Sequence, residues 1–208
     1  TSGKRLRTLN LMRNLACRHH ITYIARGGGN VEENRQATDY LTRHGIDAKI
    51  MDDPVARKKG PMFYLRLAAN LLSPLPYSVT SHYSAKMKQA VVDHAAQHPV
   101  DLYQLEWCGY DYALPSAKAK TVIQAPNVES LIWLRYAEAE KNPLKRWYIQ
   151  QQYRKYRRFE GEALRAGSAV VTVSAEDTAL ARDWFGLDHI DIVDNGVEVR
   201  LYRDVRPD

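Results

Sequence analysis

The run 169–202 constrains this chain more than any other stretch. It reads Ala169-Val-Val-Thr-Val-Ser174-Ala-Glu-Asp, passes through a helix-patterned segment to Phe185-Gly186, and closes on Ile190-Asp-Ile-Val-Asp-Asn195-Gly196-Val. Val170, Val171 and Val173 are β-branched within a run apolar on both faces, the pattern of a strand covered by helices on each side. Ser174 falls at a helix N-cap, with Asp177 three residues on as a capping-box-like acid. Gly186 marks the helix stop, and Asn195-Gly196 is a turn dipeptide. Such a strand-helix-strand unit is half of a doubly wound sheet, which binds ligands at the carboxyl ends of its strands.

The preceding chain repeats the alternation. Residues 4–18 read as a helix, with Leu11, Met12 and Leu15 at helical spacing. His20-Ile-Thr-Tyr-Ile-Ala25 is a short strand, Asn30 caps a helix to His44, and Asp47-Ala-Lys-Ile-Met51 is the next strand. Residues 52–60 form a polar loop. Helices are predicted over 62–72 and 81–98, the latter with Tyr83, Met87, Ala90, Val91 and Ala95 on one face. Strands at 101–106 and 121–125 flank a single turn at 110–114. A helix from 128 to about 140 and a long one from Pro143 to Ala166 complete the pattern. Strands near 22, 48, 103, 123, 171 and 192, with helices between them, predict an α/β chain. The expected form is a doubly wound, mostly parallel Rossmann-like sheet with helices on both faces.

Composition narrows the function. Of 208 residues, 45% are hydrophobic and 26% charged, ordinary values for a globular protein. No apolar run approaches the ~18–20 residues that span a bilayer, and no signal-peptide pattern is present. Cys17 and Cys108 fit no metal or redox spacing and read as buried thiols, which suits a reducing cytoplasm. The net charge of +6 favours anionic partners. The chain opens on a helix without a strand before it, which suggests that a first strand is missing.

Candidate chemistry lies after the strands, at Glu106-Trp107, Pro126-Asn127-Val128-Glu129 and Ser174-Ala-Glu176. Glu106 and Glu129 could orient or deprotonate a hydroxyl; the alternative for Glu129 is a favourable place at its own helix N-terminus. Trp107 and Tyr110 suit stacking on a sugar ring, and packing is the alternative. Gly3, beside Ser2, Lys4 and Arg7, could hold a phosphate at a helix start. The histidines, His19-His20 and His94…His98 among them, show no metal spacing.

The helix 145–166 carries Arg154, Lys155, Arg157 and Arg158, interleaved with Trp147, Tyr148, Tyr153, Tyr156 and Phe159. One reading is a solvated basic face over an aromatic core contact. The others are an anionic membrane surface, with the aromatics as anchors, or nucleic acid.

Val170-Val-Thr-Val-Ser174-Ala-Glu-Asp, followed by Ile192-Val-Asp194-Asn195-Gly196-Val-Glu198, resembles the end of the N-terminal domain in GT-B glycosyltransferases of family 4. Tyr202 stands where that family usually has Phe, and Glu198 where it often has Asp. Gly3-Lys4-Arg5-Leu6-Arg7 is similar to the start of its first helix. Gln124-Ala-Pro-Asn127-Val-Glu129-Ser is similar to its His-Asn-Val-Glu-Ser segment, with Ala125-Pro126 displacing the His. The resemblance implies a domain over 1–198 that is the acceptor-side half of a retaining enzyme, a linker from 199 to 208, and a donor-binding second domain absent from this sequence.

It further implies that Ser2, Gly3, Lys4 and Arg7 approach the donor phosphates. Asn127 and Glu129, with Glu106, would serve the reacting hydroxyl, Trp107 and Tyr110 the acceptor, and Ser174, Asn195 and Gly196 the cleft or hinge. The expected substrates are a nucleotide sugar and a glycan or lipid-linked acceptor, with no metal or other cofactor and no nucleic acid. The basic set at 154–158 would face an anionic membrane from the cytoplasmic side. A basic α/β module that binds nucleic acid or phosphate without catalysis is the rival reading. An NAD-type Rossmann protein is disfavoured, because no G-x-G-x-x-G follows a strand and opens a helix.

Overall fold

The computed structural model describes residues 3–116 and 119–196, with Lys4 described in its backbone alone. Helix α1 (Gly3–Leu15) leads to strand β1 (Ile21–Arg26), helix α2 (Val31–Arg43) and strand β2 (Ile46–Met51). Helices α3 (Pro61–Asn70), α4 (Tyr77–Thr80) and α5 (Ala85–Gln97) precede strand β3 (Tyr103–Leu105). A 3-10 turn (Cys108–Ala113) then reaches strand β4 (Thr121–Gln124). Helices α6 (Glu129–Ala139) and α7 (Pro143–Ala166), strand β5 (Ala169–Thr172), helix α8 (Ala175–Phe185) and strand β6 (Ile190–Ile192) complete the described order.

Every strand expected from the sequence forms, and every pairing is parallel, so the chain is an α/β protein with helix-flanked sheets in a Rossmann-like arrangement. The ladders fall into two sets, β1-β2 and β3-β4-β5-β6. In the first, Ile21 faces Ile46; in the second, Ile123 faces Val170, and Val170 faces Ile190. Among the described residues no ladder joins β1 to β3, and residues 3–10 lie in α1 rather than in a strand between them.

Local chemistry sets the element ends. Asn30 Oδ1 accepts the backbone N–H groups of Glu32 and Glu33 at the start of α2, while Gly45 takes φ +76° just past its end. Asn142 caps α7, with Pro143 in its first turn. Ser174 Oγ accepts Asp177 N–H at 3.1 Å, and Gly186 closes α8 in the left-handed region at φ +65°.

Two expectations for helices need correction. The helix predicted over 81–98 starts only at Ala85, because Ser84 is extended and its Oγ accepts the Met87 N–H. Tyr83 therefore lies before the helix and is exposed. On α1 the buried stripe is Met12 with half-buried Leu9, and Leu15 faces outward.

The larger core joins β3 to β6 with α7 and α8. Ile123, Val170 and Ile190 meet Tyr156, Phe159, Leu164, Ala181 and Phe185 there. Gly161 is required at the α7–α8 crossing, since an added Cβ would stand 2.8 Å from Phe185 Cδ1. A smaller core places Met12, Leu41 and Ile46 between α1, α2 and β2. Cys108 is buried as expected, but Cys17 is exposed just beyond α1, where neither core reaches.

Candidate functional site

Because the strands are parallel, their carboxyl ends gather on one side, and the first turns of α1 reach across that side. Arg7 Nη1 donates to Asn195 Oδ1 at 3.0 Å and to the Asp194 carbonyl at 3.2 Å, and its Nη2 reaches Gln124 Oε1 at 3.5 Å. Thr8 Oγ1 donates to Glu106 Oε2 at 2.5 Å, and Gln104 Nε2 donates to Glu106 Oε1 at 2.7 Å. The structure thus pairs Arg7 with Asn195, while Glu106 is held by Thr8 and Gln104. Arg7 clamps α1 to the ends of β4 and β6, and both Glu106 oxygens are engaged. Gly3 is exposed and packs against nothing that a Cβ would touch. Ser2 and the segment 197–208, with Glu198, Tyr202 and the expected linker, lie outside the described residues, as does the Lys4 side chain.

Glu129 opens α6 and turns its carboxyl inward. Tyr156, from the middle of α7, donates its hydroxyl to Glu129 Oε2 at 2.7 Å and accepts Trp107 Nε1–H at 2.8 Å. The helix N-terminus is served instead by Glu160, one turn further along α7. Its Oε1 accepts Glu129 N–H at 2.8 Å and its Oε2 accepts Ser130 N–H at 2.9 Å. Glu129 is the acid in the first turn of α6, as the dipole reading has it, while the hydrogen bonds to that N-terminus come from Glu160. Burial pushes the Glu160 carboxyl up to about 7, against the stabilising N–H groups. Val128 N–H is taken by Asp177 Oδ1 at 3.2 Å, so the acid after Ser174 ties α8 to the segment 126–128. Asn127 is exposed and makes no side-chain hydrogen bond among the described residues.

Trp107 is less open than a stacking platform needs. The His82 ring meets it edge-on at 5.2 Å and Tyr110 at 5.3 Å, and a Cβ on Gly109 would collide with its ring. Its indole N–H points inward to Tyr156, so packing accounts for much of the aromatic cluster. Tyr110 is half-buried, and burial raises its hydroxyl pKa.

His82 was not legible as a site residue. Its Nδ1 lies 2.7 Å from the Ser78 carbonyl, which can only accept, so in the neutral ring Nδ1 carries the proton and Nε2 is an acceptor. Desolvation is the largest cause holding its pKa below the usual value, and Glu129 acts on it in the opposite direction. Arg26, at the end of β1, fixes this segment by donating from Nη1 to the His82 carbonyl at 2.9 Å and pairing through Nε with Asp53 at 3.0 Å. The signal available in the sequence is slight: His82 stands one turn after Ser78 and just before the N-cap Ser84.

Of the aromatics on the basic helix, Trp147 is exposed, and Tyr148 and Tyr153 are half-buried. Tyr156 and Phe159 are buried and cannot serve as membrane anchors. Lys155 is turned onto α3, where Nζ donates to the carbonyls of Asn70 at 2.7 Å and Leu71 at 3.2 Å. Arg157 lies 4.5 Å over the Trp184 ring, and Arg158 stands 3.7 Å from Glu162. With exposed Arg154 they line a shallow groove of about 370 Å³, also bounded by Tyr153 and Arg165. Exposed Arg154, Arg157 and Arg158 thus stand over an aromatic core contact made by Tyr156 and Phe159.

A second hollow of about 280 Å³, lined by Leu75, Val79, Tyr83, Asp111, Tyr112 and Phe159, opens beside the 3-10 turn and is mostly apolar. No group of three or more His, Cys, Asp or Glu suited to hold a metal occurs among the described residues. No family model, no curated protein and no solved structure matches this chain.

Proposed function

We propose that this chain is the acceptor-side domain of a retaining glycosyltransferase, which moves a sugar from a nucleotide-sugar donor to a lipid-linked or polysaccharide hydroxyl. The observation that carries the reading is the hydrogen-bonded group Trp107–Tyr156–Glu129 beside the His82 ring, at the end of the parallel strands where such folds bind ligands. The resemblance of 169–198 to glycosyltransferases of family 4 supplies the reaction class.

In this reading Glu129 accepts from the acceptor hydroxyl and orients it, with His82 Nε2 free to accept from a neighbouring hydroxyl of the acceptor. The acceptor oxygen bonds to the anomeric carbon on the face from which the diphosphate leaves, and the hydroxyl proton passes to the site or to the departing phosphate. Positive charge near the start of α1 stabilises the nucleoside diphosphate without a bound cation. A second α/β lobe grips the donor, and the enzyme works in the cytoplasm at the inner face of a membrane.

The test is release of nucleoside diphosphate by the full-length gene product, with a panel of nucleotide sugars and with membranes as acceptor, in the presence of EDTA. Donor- and acceptor-dependent release supports the proposal; none with any donor contradicts it. The rival reading draws on the arginine groove between α7 and α8. A duplex-binding isotherm that weakens steeply with salt favours it.

A further inference from the structure

Helix α3 is mounted the wrong way round for a core helix. Its inward stripe is Phe63, Leu67 and Asn70, and Asn70 is 6% exposed. Outward it shows Met62 at 59%, Tyr64 at 69% and Leu65 at 61% exposure, with Ala68 and Ala69 behind them and Leu72 at 93% just after its end. Met62, Leu65, Ala69 and Leu72 recur at helical spacing, flanked by Tyr64, Ala68 and Leu71, so the outward face is continuous and apolar.

This orientation is held by polar contacts. Gln152 Nε2 donates to Asn70 Oδ1 at 3.0 Å while Gln152 Oε1 accepts Tyr77 N–H at 2.7 Å. Asn70 Nδ2 donates to the Leu75 carbonyl and to Thr80 Oγ1, and Lys155 caps the last carbonyls of the helix. Phe63 meets Tyr77 edge-on at 5.8 Å. Turning the leucines inward would strand these buried polar groups, so the protein is built to present them outward.

The charge around the face identifies its partner. Arg57, Lys58 and Lys59 are exposed immediately before the helix and make no ion pair among the described residues. From Pro54 to Pro76 the sequence contains no Asp or Glu. A second copy of the same face would bring basic residues and leucines with no acid to meet the cations. An anionic bilayer offers both complements, acyl chains for the leucines and headgroups for 57–59, with Tyr64 suited to the boundary. No described helix is long and apolar enough to cross a membrane, which fits a helix lying in the interface.

We infer that α3, with Leu71 and Leu72, docks this protein on an anionic lipid surface. The inference rests on the proposed function only for the premise that a membrane presents the acceptor. Leu75, which follows this face in the chain and is itself exposed, also lines the apolar hollow near the 3-10 turn.

The experiment is co-sedimentation of the protein with phosphatidylcholine vesicles, with and without phosphatidylglycerol. No donor or acceptor is added, so the outcome is independent of catalysis. The wild type should bind vesicles containing phosphatidylglycerol. Leu65→Glu/Leu72→Glu and Lys58→Glu/Lys59→Glu should each weaken binding by roughly tenfold or more. Arg154→Glu/Arg158→Glu should bind like the wild type, with unchanged circular dichroism for every variant. Absence of wild-type binding, or leucine variants that bind unchanged, overturns the inference. A wild-type dimer that Leu65→Glu/Leu72→Glu converts to monomer assigns the face to a second copy and overturns it equally.

Discussion

Tyr156 stands between Trp107 and Glu129, accepting the indole N–H at 2.8 Å and donating to the carboxyl at 2.7 Å. A side chain with no exposure thus couples the strand-end aromatic to the acid that opens α6. Tyr156→Phe keeps the ring but leaves both partners unpaired, at a cost of about 1–3 kcal/mol. Urea unfolding of Tyr156→Phe, Glu129→Gln and the double variant should give a coupling of about 0.5–3 kcal/mol. Strict additivity contradicts the link.

Glu160 gives the fold a pH dependence of definite sign. Its carboxyl is raised from 4.5 to about 7 by burial, so the folded state holds its proton over a range in which the unfolded state has released it. This contribution is fully present below the unfolded value and is lost as pH rises from about 4.5 through 7. In Glu160→Gln the slope over that window should flatten. The variant should also be less stable by roughly 1–3 kcal/mol, because an amide N–H faces one of the backbone donors at Glu129 and Ser130. Urea midpoints at pH 5 and pH 7.5 check both.

Two glycines should respond to alanine for different reasons. Gly161→Ala gains helix propensity but drives a methyl to 2.8 Å from Phe185, so a net loss of about 1–3 kcal/mol is expected. Gly186→Ala meets no neighbour, yet sits at φ +65° and should lose about 1 kcal/mol. Thermal unfolding of both variants tests this, and a stabilised Gly161→Ala would contradict the α7–α8 packing.

The thiols should separate cleanly. Cys17 is exposed, whereas Cys108 is buried and burial pushes its thiol well above the usual value. An aromatic disulfide reagent should titrate one thiol promptly in the native protein and both in denaturant. Prompt reaction of both in native conditions would contradict the burial.

The strands and most helix ends were legible because their signals are local. Val170 and Val171 mark β5, Asn30 and Asn142 cap their own helices, and Gly186 ends α8 one residue after Phe185. The site was legible only as positions after strands. Its wiring joins residues far apart in the chain, as Trp107 to Tyr156 and Arg26 to His82, and no spacing announces such pairs. Glu160 carries no local signal of its role, and only the arrival of α6 gives it two backbone donors. Periodicity does not say which stripe of α7 faces in; the burial of Tyr156 and Phe159 does. The apolar pattern of α3 likewise gives no direction, and only the buried Asn70 identifies its inner side.

The central claim, that Glu129 serves the acceptor hydroxyl, is met most directly by steady-state transfer kinetics of Glu129→Gln with the acceptor varied. The account predicts a kcat lower by about 10²–10⁴-fold, an acceptor KM changed little, and an unaltered circular dichroism spectrum. A kcat equal to that of the wild type would contradict it.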